Sequence, residues 1–384
     1  MTSWSENMIG LLTPYSVQNY GTKLQAYAVQ ELMSVYDDVE IINFRPNFPE
    51  RVKRKIEKKI MGEHFSDSKN TNVKELDKDL KNTRNVAISS FDKKLKIVPQ
   101  IYGFKNLRKR AAEYSAVVCG SDQIWNPVNL PEHIFMLEFV PNEVRRIALS
   151  PSFGIPTIPV DLRNEYKKRL SHIEYMSVRE KSGCAIVSNL GFKNPCWTLD
   201  PTLIMPEEKW DALADESSCN IDEKYIFCYF LGSHSKGREG AIKLRSLTGY
   251  KIVNLPHFKS YVDADENFAD YDLYNVAPQD FINLIRNAQY VCTDSFHGTA
   301  FSIIFEKQFM CFERHQISDK ASTNDRIYSV LQLIGESSRL VRSFESIKEL
   351  AADNINFSDV KRVLNAKRDE ANNFLDNAVK GKRV

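Results

Sequence analysis

The chain has no apolar run of about 18 residues, the length a helix needs to cross a bilayer. No apolar stretch follows Met1, so no secretory signal is expected. The seven cysteines are odd in number, scattered, and form no C-x-x-C pair, which argues against a zinc ribbon or a disulfide framework. Cys119, Cys228 and Cys292 lie in apolar strand-like runs and read as buried thiols in a reducing cytoplasm. A dominant charge is missing too. The 52 basic and 50 acidic residues leave a net charge of +2, so nucleic acid is not an indicated partner. No glycines fall in G-x-G-x-x-G spacing, which removes a dinucleotide fingerprint.

What remains is a chain of 384 residues, 42% hydrophobic and 27% charged, long enough for two domains. Short apolar strands alternate with helical periodicity, beginning with Met8–Leu12, a helix through Met33, and Val39–Asn43. The rhythm breaks between residues 45 and 110, where a lysine-rich stretch reads as a helical insertion. Within it, residues 51–60 place Val52, Ile56 and Ile60 on one stripe among basic residues. That insertion is either a solvated charged face or a surface for anionic lipid head groups or a diphosphate-bearing acceptor. Strands resume at 114–119 and 146–150, and at Tyr175–Val178, Tyr225–Leu231, Lys251–Asn254, Tyr290–Thr293 and Gln308–Phe312. Trp197–Leu203 reads as an extended crossing between domains.

The expected architecture is α/β: two Rossmann-like α/β/α domains facing a cleft. Residues 1–174 form the N-terminal domain with the insertion, 175–345 the C-terminal domain, and 346–384 a helical tail packing back across both.

Polar turns recur at strand ends, where open α/β sheets bind ligands. Tyr290–Thr293 runs into Asp294, Ser295, Phe296, His297 and Gly298, then into an apolar helix. A helix N-terminus suits an anion, His297 exchanges a proton near neutral pH, and Gly298 permits close approach. The same residues also read as local structure, with Asp294 as the N-cap and His297 as a helix-start residue. Asp122, Gln123 and Trp125 follow another strand and supply a carboxylate, an amide and an indole of the kind that hold sugars. Ser152 lies in a third such turn. Asn19 and Tyr20 sit where a loop meets a helix, and Asn19 equally reads as a cap. Arg179 at a strand end can fork a phosphate or carboxylate, or simply pair with Glu180.

Taken in order, these motifs resemble the polysaccharide pyruvyl transferase family. The match rests on Asn19-Tyr-Gly21, Gly120-Ser-Asp-Gln-Ile-Trp-Asn126, Ser152-Phe-Gly154, Ser177-Val-Arg-Glu180, Leu199-Asp-Pro-Thr202, Asp294-Ser-Phe-His-Gly298 and Asn324-Asp-Arg326. The resemblance implies a GT-B-type fold and transfer of the pyruvyl group of phosphoenolpyruvate to two hydroxyls of a hexose. The products are a cyclic ketal and phosphate, in the making of a surface polysaccharide such as a capsule or exopolysaccharide.

By that resemblance Arg179, Ser295, Phe296, Gly298 and Arg326 hold the donor, and His297 and Asp294 are catalytic. Asn19, Tyr20, Asp122, Gln123, Trp125 and Ser152 face the acceptor, expected to be lipid-linked. Protonated His297 is the expected acid, with Asp294 orienting it or taking a hydroxyl proton. No metal and no cofactor beyond the donor is expected, and the protein is expected in the cytoplasm with peripheral contact at the inner membrane surface. Two other readings stay open: a nucleotide-sugar glycosyltransferase of the same architecture, with Asp294 or Glu306 on a ribose, and a sugar-binding protein without activity.

Overall fold

A computed structural model of the protein describes residues 8–62, 76–132, 134–257, 260–314 and 324–381. The chain opens as β1 (Met8–Leu12), α1 (Tyr20–Met33) and β2 (Asp38–Ile41). The insertion follows, with β3 (Phe44–Arg45), α2 (Phe48–Gly62), α3 (Lys78–Ser89), β4 (Ile101–Tyr102) and α4 (Gly103–Ala111). Part of the expected insertion, residues 63–75, lies outside the described residues. Next come β5 (Ala116–Cys119), β6 (Arg145–Ala148), α5 (Arg163–Leu170), β7 (Tyr175–Val178), α6 (Lys181–Asn189) and β8 (Cys196–Trp197).

After α7 (Pro201–Ile204) and α8 (Glu207–Ala214) a second series begins. It runs β9 (Tyr225–Tyr229), α9 (Lys236–Thr248), β10 (Lys251–Leu255), β11 (Tyr271–Asp272), α10 (Pro278–Asn287), β12 (Tyr290–Thr293), α11 (Phe296–Ile304) and β13 (Gln308–Cys311). The helices α12 (Asp325–Leu333), α13 (Ser346–Ala352) and α14 (Phe357–Lys380) close the chain.

Two parallel sheets have the orders β2-β1-β5-β6-β7-β8 and β11-β10-β9-β12-β13, and β3 pairs with β4 in a separate two-stranded parallel sheet. Helices cover both faces, so central strands such as Ala116–Cys119 and Tyr225–Tyr229 are buried throughout and read as unbroken apolar runs. Because every strand of a parallel sheet points the same way, the polar turns after β1, β5, β6 and β7 gather at one edge. Those after β9, β12 and β13 gather at one edge of the other sheet.

The sheets divide later than the expected boundary at residue 174. Tyr175–Val178 pairs with β6, and Cys196–Trp197 pairs with β7, so both belong to the first sheet. Strand membership is set by the neighbour a strand bonds to, which four apolar residues do not encode. The crossing is shorter than expected as well. Asp200 caps α7 by accepting from the Thr202 amide, and Pro201 occupies its first turn, so only the residues just before Asp200 remain extended.

One apolar core joins the two halves. Tyr20 of α1 stacks on Phe281 of α10 at 5.0 Å with the rings 2° from parallel. Trp210 of α8 meets Phe301 of α11 edge-on at 4.8 Å. The tail helix crosses the same junction. Lys361 pairs with Glu306 at one end, Arg368 donates to the Leu203 carbonyl at 2.8 Å, and Arg145 donates to the Gly381 carbonyl at 2.7 Å at the other. From the insertion, the Arg84 guanidinium reaches the Tyr274 ring at 4.9 Å. None of the helices among the described residues is long and apolar enough to cross a membrane.

This shared core yields a stability prediction. Tyr20→Ala should lower unfolding free energy by about 3 kcal/mol, as for other large aromatic truncations in a core. Urea denaturation followed by circular dichroism checks it; an unchanged midpoint would mean that α1 and α10 do not stay packed in solution.

Candidate active site

The two edges meet around a cavity of about 200 Å³ walled by Val17, Asn19, Thr22, Asp122, Gln123, Leu231, Ser295, Phe296, His297, Arg314 and Arg326. Its floor comes from the turn between β12 and α11. Ser295, not Asp294, is the N-cap there, its hydroxyl accepting from the Gly298 amide at 3.3 Å. Asp294 instead accepts from the amides of Leu231 at 2.6 Å and Gly232 at 2.8 Å, tying the β9 turn to the β12 turn. Its carboxylate is thereby committed to backbone, which is a positioning task rather than the expected proton transfer.

Opposite, the start of α1 presses on His297. A Cβ added to Gly21 would overlap the imidazole Nδ1. Glycine is required at that position for the two domains to close with the imidazole in place. Gly298 serves packing: its missing Cβ makes room for Thr293, not for a ligand.

The charges form one network. Arg179 donates from Nε to Glu180 at 3.0 Å and from Nη1 to Asp200 at 2.6 Å, with Asp122 at 3.8 Å from Nη2. Arg179, Glu180 and Asp200 are buried, so the alternative of an exposed Arg179–Glu180 surface pair does not hold. Burial works against the Arg179 cation, yet Glu180, Asp200 and Asp122 hold its pKa above the ordinary value. Burial raises Asp122 and Asp200, but Arg179, joined by Arg326 and His297 at Asp122 and by His297 and the Thr202 hydrogen bonds at Asp200, outweighs it and both carboxyls sit below the usual range. The ring of Phe296 lies beneath the guanidinium of Arg179 at 4.7 Å and beside that of Arg326 at 6.0 Å.

Burial, together with Arg179 and Arg314, lowers the Arg326 pKa to about 10, with Asp122 at 3.6 Å opposing them. His297 follows the same logic. Burial pushes its pKa below that of a free histidine, and Arg179 and Arg326 add to this against Asp200 and Asp122. Burial and the two arginines therefore favour the neutral imidazole, so the protonated His297 expected from sequence needs an anion beside it.

Three nitrogens on residues that wall this cavity are buried without a hydrogen-bond partner among the described residues: Gln123 Nε2, His297 Nε2 and Arg314 Nε. Buried polar groups are nearly always satisfied, and an orphaned one costs about 1–3 kcal/mol. Three at one cavity describe a site suited to an acceptor-rich ligand.

A second cavity of about 540 Å³ shares Val17, Thr22, Asp122 and Gln123 as walls and extends over Thr13, Asn43 and Gln100. Its size and amides suit a sugar. Asp122 stands at the junction, with a left-handed backbone (φ 63°) that turns its carboxylate inward and a contact from the Thr22 hydroxyl at 3.4 Å.

The structure thus brings Asp122, Gln123, Ser295, Phe296, His297 and Arg326 together. Asn19 lines the cavity while its side chain caps α1 through the Thr22 amide at 3.1 Å. Three expected acceptor contacts are buried elsewhere. Trp125 is fully buried, donating to the Phe135 carbonyl at 3.2 Å. Tyr20 is spent on the stack with Phe281, and Ser152 is buried. Sequence patterns report residue chemistry but not the direction of the side chain. Arg314 was missed: it follows β13 just as Arg179 follows β7, and the same strand-end rule would have found it.

These charges predict that a small oxyanion binds the empty pocket. Inorganic phosphate should raise the His297 pKa, read by NMR titration of the imidazole, because a nearby anion favours the charged ring. A pKa unmoved at saturating phosphate would contradict the anion reading.

Comparison with solved structures gives the fold independently. S. aureus MnaA, solved with UDP, matches at a TM-score of 0.51 and 9% identity, over 98% of this chain and 98% of that one. Methanocaldococcus jannaschii UDP-GlcNAc 2-epimerase, solved with UDP-GlcNAc and UDP, matches at 0.51 and 9%, over 94% and 99%. The arrangement is the two-domain GT-B type. No curated protein matches the sequence. The sequence profile of the polysaccharide pyruvyl transferases does match, over residues 19–316, and the span includes every wall of the pocket except Val17 and Arg326. With that span covered, the chain belongs to the polysaccharide pyruvyl transferase family.

Proposed function

We propose that the protein transfers the pyruvyl group of phosphoenolpyruvate to two hydroxyls of a hexose in a lipid-linked surface-polysaccharide precursor, forming a cyclic ketal and releasing phosphate. The observation that carries this is the set of three unpartnered buried nitrogens on the walls of one cavity. Phosphoenolpyruvate brings a carboxylate and a phosphate, enough acceptor oxygens to satisfy all of them. Arg314 and Arg326 grip it from the second domain, while Arg179, already neutralised by Glu180 and Asp200, holds Phe296 and Asp122 in place.

The reaction needs a proton on the methylene carbon, then attack on the neighbouring carbon. The donor's charge raises the His297 pKa, so the ring that is neutral when empty becomes an acid when loaded. Protonation turns CH2 into CH3, and the first hydroxyl adds to the central carbon as its own proton leaves. The C–O bond to phosphate then breaks, phosphate carries off the electron pair, and the second hydroxyl closes the ring, its proton passing to phosphate. Asp122, ionised and at the junction of the two cavities, takes the hydroxyl proton in place of Asp294. The arginines stabilise charge on the departing phosphate.

A nucleotide-sugar reading fares less well. Asp294 is held by two amides, and Glu306 pairs with Lys361 away from the cavity, so neither expected ribose contact is placed for it.

Two outcomes test the chemistry. His297→Ala should cut turnover by about 10²–10⁴-fold with little change in donor binding; turnover within about twofold of wild type would remove the acid role. The pH profiles should split. Since the free imidazole titrates below the ordinary histidine value, kcat/KM should fall as pH rises through that low value, while kcat persists to higher pH. Coincident limbs would show that the donor does not charge the ring.

A further inference from the structure

Helix α2 (Phe48–Gly62) carries the most unusual surface of the molecule. Its start is fixed by a reciprocal cap: Asn47 Oδ1 accepts from the Glu50 amide at 3.2 Å, and Glu50 accepts from the Asn47 amide at 2.8 Å. Phe48, Val52 and Ile56 recur every fourth residue and are 76%, 43% and 57% exposed. A stripe at that spacing ordinarily faces a core; here it faces water. A second row, Arg51, Lys55 and Lys59, runs beside it three residues on and is exposed as well.

The helix has two carboxylates, Glu50 and Glu57, and both turn inward. Glu50 also accepts from the Phe104 amide at 2.9 Å, and Glu57 joins it in walling a small cavity with Phe44 and Phe104. Among the described residues, the exposed side chains of the helix are therefore apolar or cationic, with the half-buried Glu57 paired to Lys53 at 4.0 Å.

We propose that this face of α2 docks on a bilayer bearing anionic head groups. The charge fits such a surface, and the paired rows let Phe48, Val52 and Ile56 enter the acyl boundary while lysine and arginine heads stay among the phosphates. A second copy of the chain would present the same cationic face and be repelled. The position gives the docking a use. A basic recess of about 420 Å³, walled by Arg45, Pro46, Arg51, Arg54 and Lys55, adjoins the docking face. It shares Arg45, Pro46 and Arg54 with the 540 Å³ cavity that leads to Asp122. A bilayer on α2 lies at the mouth of the acceptor route. Delivery of a lipid-linked acceptor along it rests on the function proposed above; the docking rests on the helix alone.

The test is sedimentation of the full chain with vesicles of phosphatidylcholine, with and without added phosphatidylglycerol. The expected result is binding to the anionic vesicles alone, weakened by raised salt. It should fall by about tenfold or more in Lys55→Glu/Lys59→Glu and in Phe48→Ser/Val52→Ser/Ile56→Ser. Calorimetric titration of the apolar variant with phosphoenolpyruvate should match wild type, which separates failed docking from failed folding. If phosphoenolpyruvate fails to bind wild type while docking persists, the activity is misread and the docking stands. Absence of vesicle binding, equal binding to neutral vesicles, or undiminished binding by both variants would overturn the proposal. So would self-association of wild type that the apolar substitutions abolish, which would assign the face to a second copy.

Discussion

The arrangement depends on one buried guanidinium. Arg179 leaves the first sheet at the end of β7 and reaches under the second domain, where its face meets Phe296. Burying an arginine is costly unless it is paired and hydrogen-bonded, and Glu180 and Asp200 do both. Asp200 is itself held by the Thr202 amide at 2.9 Å and hydroxyl at 2.7 Å. The strand end of one domain and the helix start of the other are thereby locked together, and Asp122, His297 and Arg326 take their electrostatics from that lock.

The same interface explains why the imidazole can act. Gly21 brings α1 against His297, Asp294 fixes the turns on either side of it, and the Ser182 hydroxyl donates to Asp325 across the domains at 2.6 Å. In the proposed mechanism an anion arriving between Arg314, Arg326 and this ring favours its protonated form, which would couple protonation to donor binding.

Much of this was legible in the sequence. Unbroken apolar runs marked the parallel strands, and Tyr175–Val178 and Tyr290–Thr293 were read at their observed bounds. The polar turns after strands pointed to Asp122, Gln123 and His297, and the family resemblance to Arg326; all four wall one pocket. What sequence did not carry was direction and pairing. Trp125 has sugar-binding chemistry but points into the core, and Asp294 has catalytic chemistry but is consumed by two amides. The sheet to which β7 belongs depends on β6, and the outward turn of the α2 stripe depends on Glu50 finding Phe104. Those are tertiary facts, which residue spacing alone does not encode.

The most direct measurement is calorimetric titration of the purified protein with phosphoenolpyruvate beside a nucleotide sugar such as UDP-N-acetylglucosamine. The account predicts saturable binding of phosphoenolpyruvate, abolished in Arg314→Ala, and none of the nucleotide sugar. Binding of the nucleotide sugar with silence from phosphoenolpyruvate would contradict it.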